Sequence, residues 1–265
     1  MEEEKMKTMT KILILSVVGV FLLAGSSWAL NIRPVVPGDN DLQNFFDTQV
    51  AGETYDAIND QSTAALFEAT GTGSVTSFVF SATGSFTYGN GDVFGIYSPI
   101  SGMMIPVFDL TLIGTNWPNT TINFGDLDFD GQDDDVWITD ALGDIDLPGL
   151  YHDFGPDAFG YYVTAGGSTY YTEDNKNADG EAWALTYQGH GGTLLMPGGQ
   201  ADVSFDDNHW LTAFEVFSNP GTYKDFDDLI VVAESVDPVP EPATILLLGA
   251  GLVGLGYLGR KKKLV

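Results

Sequence analysis

Tyr223-Lys224-Asp225-Phe226-Asp227-Asp228-Leu229-Ile230-Val231-Val232-Ala233 is the stretch that decides the fold class. Three acids stand immediately before an apolar, β-branched run, the signature of a loop entering the last core strand of a sheet. Other short β-branched or aromatic segments precede it at close intervals. They are Ser74–Phe80, Ser85–Tyr88, Val93–Tyr97, Ile105–Ile113, Ala158–Val163, Ser168–Tyr171, Ala182–Tyr187, Thr193–Met196, Ala201–Phe205 and Leu211–Phe217. Gly, Asn, Asp and Pro separate them. Such spacing predicts an all-β chain, an antiparallel β-sandwich or jelly roll with acidic loops. Leu42, Phe45, Phe46, Gln49 and Val50 recur at helical spacing behind Asp39 or Asn40 as cap, which predicts one short amphipathic helix. Residues 30–38 and 237–242 read as linkers, and the body is expected at 39–236, with a candidate seam near residue 118. No internal repeat is visible.

The 265 residues carry 10 Lys+Arg against 37 Asp+Glu, a formal charge of −27. Between residues 30 and 240 there are 33 acids and only Arg33, Lys176 and Lys224 as bases. A surface of this sign excludes nucleic acid as a partner, because phosphate binding draws its affinity from basic side chains that displace counterions. With 44% apolar and 12% aromatic residues the chain can still build a core. Cysteine is absent, which removes disulfides, thiolate metal sites and cysteine nucleophiles.

The two ends read as addresses. Lys7 and Lys11 precede the apolar run Ile12–Leu23, and small residues follow as far as Ala29. That is the pattern of a signal peptide over residues 1–29 for the Sec translocon; an uncleaved anchor is the alternative. At the other end stand Val239-Pro240-Glu241-Pro242, an apolar run over 243–259 and a basic tail at 260–265 containing Arg260, Lys261, Lys262 and Lys263. The run predicts a short transmembrane helix with its basic end cytoplasmic.

In order and spacing, residues 239–263 resemble the PEP-CTERM sorting signal of Gram-negative bacteria. The resemblance implies an exosortase as partner and Pro240, Glu241 and Pro242 as its recognition motif. It also implies transient membrane anchoring through 243–259, then export to the cell surface or the extracellular polysaccharide matrix.

Asp126-Leu127-Asp128-Phe129-Asp130-Gly131-Gln132-Asp133-Asp134-Asp135 is the densest carboxylate cluster. Oxygens at alternate positions followed by glycine suit Ca²⁺, a hard cation that takes 6–8 oxygen ligands. The twelfth position counted from Asp126 is Trp137 where an EF-hand needs Glu, so the expectation is a calcium loop of another kind using Asp126, Asp128, Asp130, Asp133 and Asp135. A solvated acidic turn is the alternative. Further oxygens stand at Asp174 and Asp179, at Glu215, and at Asp225, Asp227 and Asp228. Phe159-Gly160-Tyr161-Tyr162, the Tyr171–Gly180 segment, Leu211-Thr212-Ala213-Phe214-Glu215 and Asp225-Phe226-Asp227-Asp228-Leu229 together resemble a bacterial extracellular domain of unknown function, over residues 158–236. The resemblance implies a calcium-binding module and no catalytic activity.

His152, His190 and His209 are isolated in sequence, which argues against a zinc site or a Ser-His-Asp triad. Paired carboxylates would serve glycoside hydrolysis only at a fixed separation, which sequence does not supply. Tyr161, Tyr162, Tyr170, Tyr171, Trp183, Tyr187 and Trp210 are aromatics of the kind that stack on sugars, the basis for a lectin alternative. The leading expectation is an exported, calcium-stabilised structural or adhesive protein, not an enzyme.

Overall fold

Strands form where β-branched and aromatic residues alternate, and turns form at the glycines and acids between them. The computed structural model describes residues 42–70, 73–81, 92–110, 119–130, 134–140, 145–155, 158–196, 201–216 and 224–239. All of these fall in the unit Arg33–Val239. In chain order they are α1 (Leu42–Gln49), β1 (Val50–Ala51), β2 (Phe67–Ala69), β3 (Ser74–Ser81), β4 (Val93–Tyr97), β5 (Met104–Asp109), β6 (Asn119–Gly125), β7 (Asp135–Asp140) and β8 (Ile145–Tyr151). Then come β9 (Ala158–Ala165), β10 (Ser168–Tyr171), a 3-10 turn at Asp174–Lys176, β11 (Ala184–Gln188), β12 (Thr193–Leu194), β13 (Val203–Ser204), β14 (His209–Phe214), β15 (Leu229–Glu234) and β16 (Val236–Pro238). No helix among the described residues is long and apolar enough to cross a membrane. The expected signal peptide, Ser85–Tyr88, the membrane helix, Pro240-Glu241-Pro242 and the basic tail lie outside the described residues.

Every named strand pair is antiparallel, as the sequence predicts. A seven-stranded sheet runs β11-β14-β15-β3-β6-β7-β8, a six-stranded sheet runs β16-β2-β9-β4-β5 with β10 beside β9, and β1, β12 and β13 form a small third sheet. One core lies between the two large sheets. Phe67, Phe94, Ile96, Phe159, Tyr161 and Val163 of the six-stranded sheet meet Val75, Ile122, Val136, Trp210, Phe214 and Val231 of the seven-stranded one. Residues on both sides of position 118 share that core, so no seam divides the body there.

A third layer departs from a simple two-sheet plan. Leu229, Val231 and Ala233 face the first core, whereas Ile230 and Val232 face a second one with Leu185, Tyr187, Leu211 and Ala213. Strands β11, β14 and β15 are thus buried on both faces, which explains their nearly continuous apolar runs. The second core is closed by Leu42, Phe45 and Phe46 of α1 together with Tyr55, Leu194, Phe205 and Phe226. The short helix is therefore a lid on the sheet, formed at the expected place.

The chain passes from β15 to β16, and so from one large sheet to the other, through the single residue Ser235 at φ 64°. Val236 then enters the first core. The linker expected at 237–242 accordingly begins as strand: Val236, Asp237 and Pro238 pair with Ala69, Glu68 and Phe67, and Val239 N–H donates to Leu66 O at 3.0 Å. Burial of Val236 supplies the apolar anchor that so short a polar sequence does not advertise.

Candidate functional site

The Asp126–Asp135 stretch is the connection between β6 and β7, two paired strands of the seven-stranded sheet. Asp135, the first residue of β7, is buried with 1% exposure. Its Oδ2 accepts the N–H groups of Leu127 (2.6 Å) and Asp128 (2.9 Å), and its Oδ1 lies 2.7 Å from His152 Nδ1. The aspartate thus staples the base of the loop. At the tip, Asp130 N–H points at both Asp126 Oδ1 and Asp128 Oδ1, each at 3.1 Å. Phe129 sits there in the left-handed region at φ 63° and is 87% exposed.

Two ligand sets follow, and they share Asp128. Asp126, Asp128 and Asp130 bring three carboxylate oxygens within 4.8 Å of one another; Asp128, Asp135 and His152 bring two oxygens and a ring nitrogen equally close. The first set offers oxygen alone and suits a hard cation such as Ca²⁺. The second adds an imidazole, a donor that transition metals favour. Asp133 lies outside the described residues.

Electrostatics divides this loop. Burial raises the Asp134 carboxyl above its ordinary range, and the charges of Asp130, Asp153, Asp135 and Asp128 add to that. Burial would raise Asp135 as well, but the two backbone N–H groups and His152 outweigh it and hold the group below its ordinary value. His152 is held above its own ordinary value by the same hydrogen bond.

Sequence reading missed His152, which stands 17 residues from Asp135. The signal was the β7–β8 hairpin: Val136 faces Tyr151 and Trp137 faces Leu150, so the same register sets Asp135 opposite His152.

A second group of acids staples a different connection. Glu215, 4% exposed, follows β14, and its Oε2 accepts Asp225 N–H at 2.9 Å and Phe226 N–H at 3.0 Å. Asp228 Oδ2 accepts Val216 N–H at 2.8 Å. Asp225 O accepts Leu42 N–H at 3.3 Å, joining α1 to the approach to β15. Phe226 turns into the second core at φ 57°. Burial, with the nearby charges of Asp228 and Asp225, pushes the Glu215 carboxyl up to about 8 against the hydrogen bond from Phe226.

The Tyr171–Trp183 segment is a loop locked by amides. Asn177 accepts Tyr171 N–H and donates to Tyr171 O and Glu181 O. Asp179 accepts Glu181 N–H and the Trp183 indole N–H, while Asp174 opens the 3-10 turn. Among the described residues, the groups of three close ligand atoms draw on Asp126, Asp128, Asp130, Asp135 and His152; Asp174, Asp179, Glu215, Asp225, Asp227 and Asp228 join none of them.

The candidate sugar-stacking aromatics separate by burial. Tyr161, Tyr162, Tyr187 and Trp210 are buried and serve packing. Tyr170, Tyr171 and Trp183 stay partly exposed. Tyr170 and Trp183 have ring centroids 4.8 Å apart, and Lys224 Nζ lies 3.7 Å over the Trp183 ring while donating to Glu181 and Ala182 O.

Residues 238–263 match the PEP-CTERM protein-sorting motif. No curated protein and no solved structure matches the chain. The sorting motif implies export, processing by an exosortase and delivery to the cell surface. Its first two residues, Pro238 and Val239, are those already seen paired with Phe67 and Leu66.

Proposed function

We propose that the chain is an exported structural or adhesive protein of the cell surface or extracellular polysaccharide matrix, delivered by an exosortase and stabilised by Ca²⁺ at the β6–β7 loop. The PEP-CTERM match at 238–263 carries the sorting half of this reading. The converging carboxylates of Asp126, Asp128 and Asp130 support the calcium half. Clustered carboxylates repel one another, and a bound cation relieves that repulsion. A cation bound only by the folded state at 100-fold excess over Kd adds about 2.7 kcal/mol. Ca²⁺ would thus supply the bracing that a cysteine-free exported chain lacks. We read the protein as a binding or structural module without catalysis. The test of sorting is Glu241→Ala in the exporting cell: the variant should remain in the inner membrane fraction, and normal surface delivery would refute the assignment.

Calcium-dependent glycan binding is the second reading, favoured by the partly exposed Tyr170–Trp183 pair beside Lys224. Retention on immobilised polysaccharide only with Ca²⁺, lost in Trp183→Ala, would select it.

A further inference from the structure

The folded body and the sorting motif overlap in sequence. The motif match begins at Pro238. Pro238 is also the last residue of β16, directly opposite Phe67, and Val239 N–H still donates to Leu66 O. Pro240, the first residue of Pro240-Glu241-Pro242, follows Val239 directly in the sequence. Readers of extended peptides pair with several consecutive backbone groups, and here the sheet holds the groups on the N-terminal side.

The pairing that holds them is weak by composition. Strand β16 has three residues, and its partner β2 meets β9 through only Phe67 and Glu68. Glu68 and Asp237, both exposed, stand directly opposite each other, and like charges in that position oppose pairing. Val236, buried in the core, marks where release would stop.

We propose that β16 is a latch on the sorting segment: the enzyme that reads Pro240-Glu241-Pro242 gains its substrate when Pro238 and Val239 leave β2. This rests on the sorting role proposed above. Processing then depends on the strength of one short strand pair as well as on the motif.

The experiment follows conversion of the full-length precursor to its surface form by pulse-chase in the exporting cell. A six-residue Gly/Ser spacer between Asp237 and Pro238, which leaves the matched motif continuous, should raise the conversion rate at least threefold, whereas the same insertion after Gly38 should leave it unchanged. Asp237→Lys lies outside the matched motif and turns the like-charged pair with Glu68 into an attractive one. It should slow conversion at least twofold, and the spacer should abolish that slowing. Equal rates for wild type, spacer variant and Asp237→Lys would overturn the latch. Conversion of Glu241→Ala at the wild-type rate would instead overturn the sorting role itself, so the two failures are told apart.

Discussion

Two buried carboxylates perform the same mechanical task at two connections, and their proton affinities are shifted in opposite directions. Asp135 closes the β6–β7 loop by accepting two backbone N–H groups, and Glu215 closes the β14–β15 connection by accepting two as well. Both are at most 4% exposed. Asp135 has His152 at 2.7 Å and is held ionised; Glu215 has Asp225 and Asp228 for neighbours and is pushed up to about 8. Burial opposes ionisation in both, so the neighbouring charge decides the outcome. Acid neighbours favour the protonated form of a stapling acid, and a histidine neighbour favours its ionised form.

The largest expected effect is loss of either staple. Glu215→Ala leaves the Asp225 and Phe226 N–H groups without their acceptor and loosens Phe226, and Asp135→Ala frees those of Leu127 and Asp128. A buried N–H left unsatisfied costs roughly 1–3 kcal/mol, so in urea unfolding of the body 30–239 Glu215→Ala should lose about 3 kcal/mol, and Asp135→Ala, which frees the N–H of half-buried Leu127 and exposed Asp128, about 2 kcal/mol. A loss below about 1 kcal/mol in either would break the parallel between them.

Charge state sets the next effect. A folded-state value of about 8 for Glu215 against an ordinary 4.5 means that the folded protein binds more protons than the unfolded chain between those limits. The contribution of this group is therefore greatest below pH 4.5, falls as pH rises and levels off above 8. Its magnitude is on the order of a few kcal/mol. Glu215→Gln should flatten that decline while keeping one acceptor; an unchanged slope would place the neutral acid elsewhere. Asp135 has the opposite sign. Its carboxyl is lowered from 3.8, so its contribution is present above that value and is lost as pH falls through the folded-state value.

His152 gives a smaller and more local signal. Its value is raised from 6.5 by Asp135, so the pair contributes fully below pH 6.5 and loses its contribution as pH rises through the folded-state value. In metal-free protein, the ring protons of His152 should titrate above 6.5 by NMR and return towards that value in Asp135→Asn. Titration at the ordinary value in the unsubstituted protein would dissolve the contact.

Legibility in the sequence followed the continuity of apolar residues. Val93–Tyr97 and Ser168–Tyr171 were readable to the residue, and the runs at β14 and β15 were readable because both of their faces are buried. Strands β6 and β7 were not read. Their inward Ile122, Phe124, Val136 and Ile138 do alternate with Thr, Asn, Trp and Asp in the period of two, but each strand carries only two buried apolar residues beside the acidic loop, and the loop was read instead. The acidic loop was legible as a cluster, but its internal division was not, because Asp135 and the rim acids are the same residue type distinguished only by depth. Strand β16 was hidden for a related reason: Ser-Val-Asp-Pro carries one apolar residue, and the core that receives it is assembled by distant segments.

That division at the β6–β7 loop yields the smallest effect and the closest test of the comparison. Asp126 and Asp128 both accept the Asp130 N–H. Replacing all three with Asn keeps oxygen acceptors for that N–H and removes three mutually repelling charges. With chelator present, each exposed change should shift stability by no more than about 0.5 kcal/mol. With millimolar Ca²⁺ the unsubstituted body should melt several degrees higher, beyond the shift given by Mg²⁺, and the triple variant should lose that gain. If the triple variant in chelator fell as far as Asp135→Ala, the rim would be part of the staple. If the Ca²⁺-specific gain survived in it, the cation would be held by other acids of the chain. With the expected outcomes, rim and staple would separate on one axis each: the staple through backbone N–H groups with no ion present, and the rim only when Ca²⁺ is added.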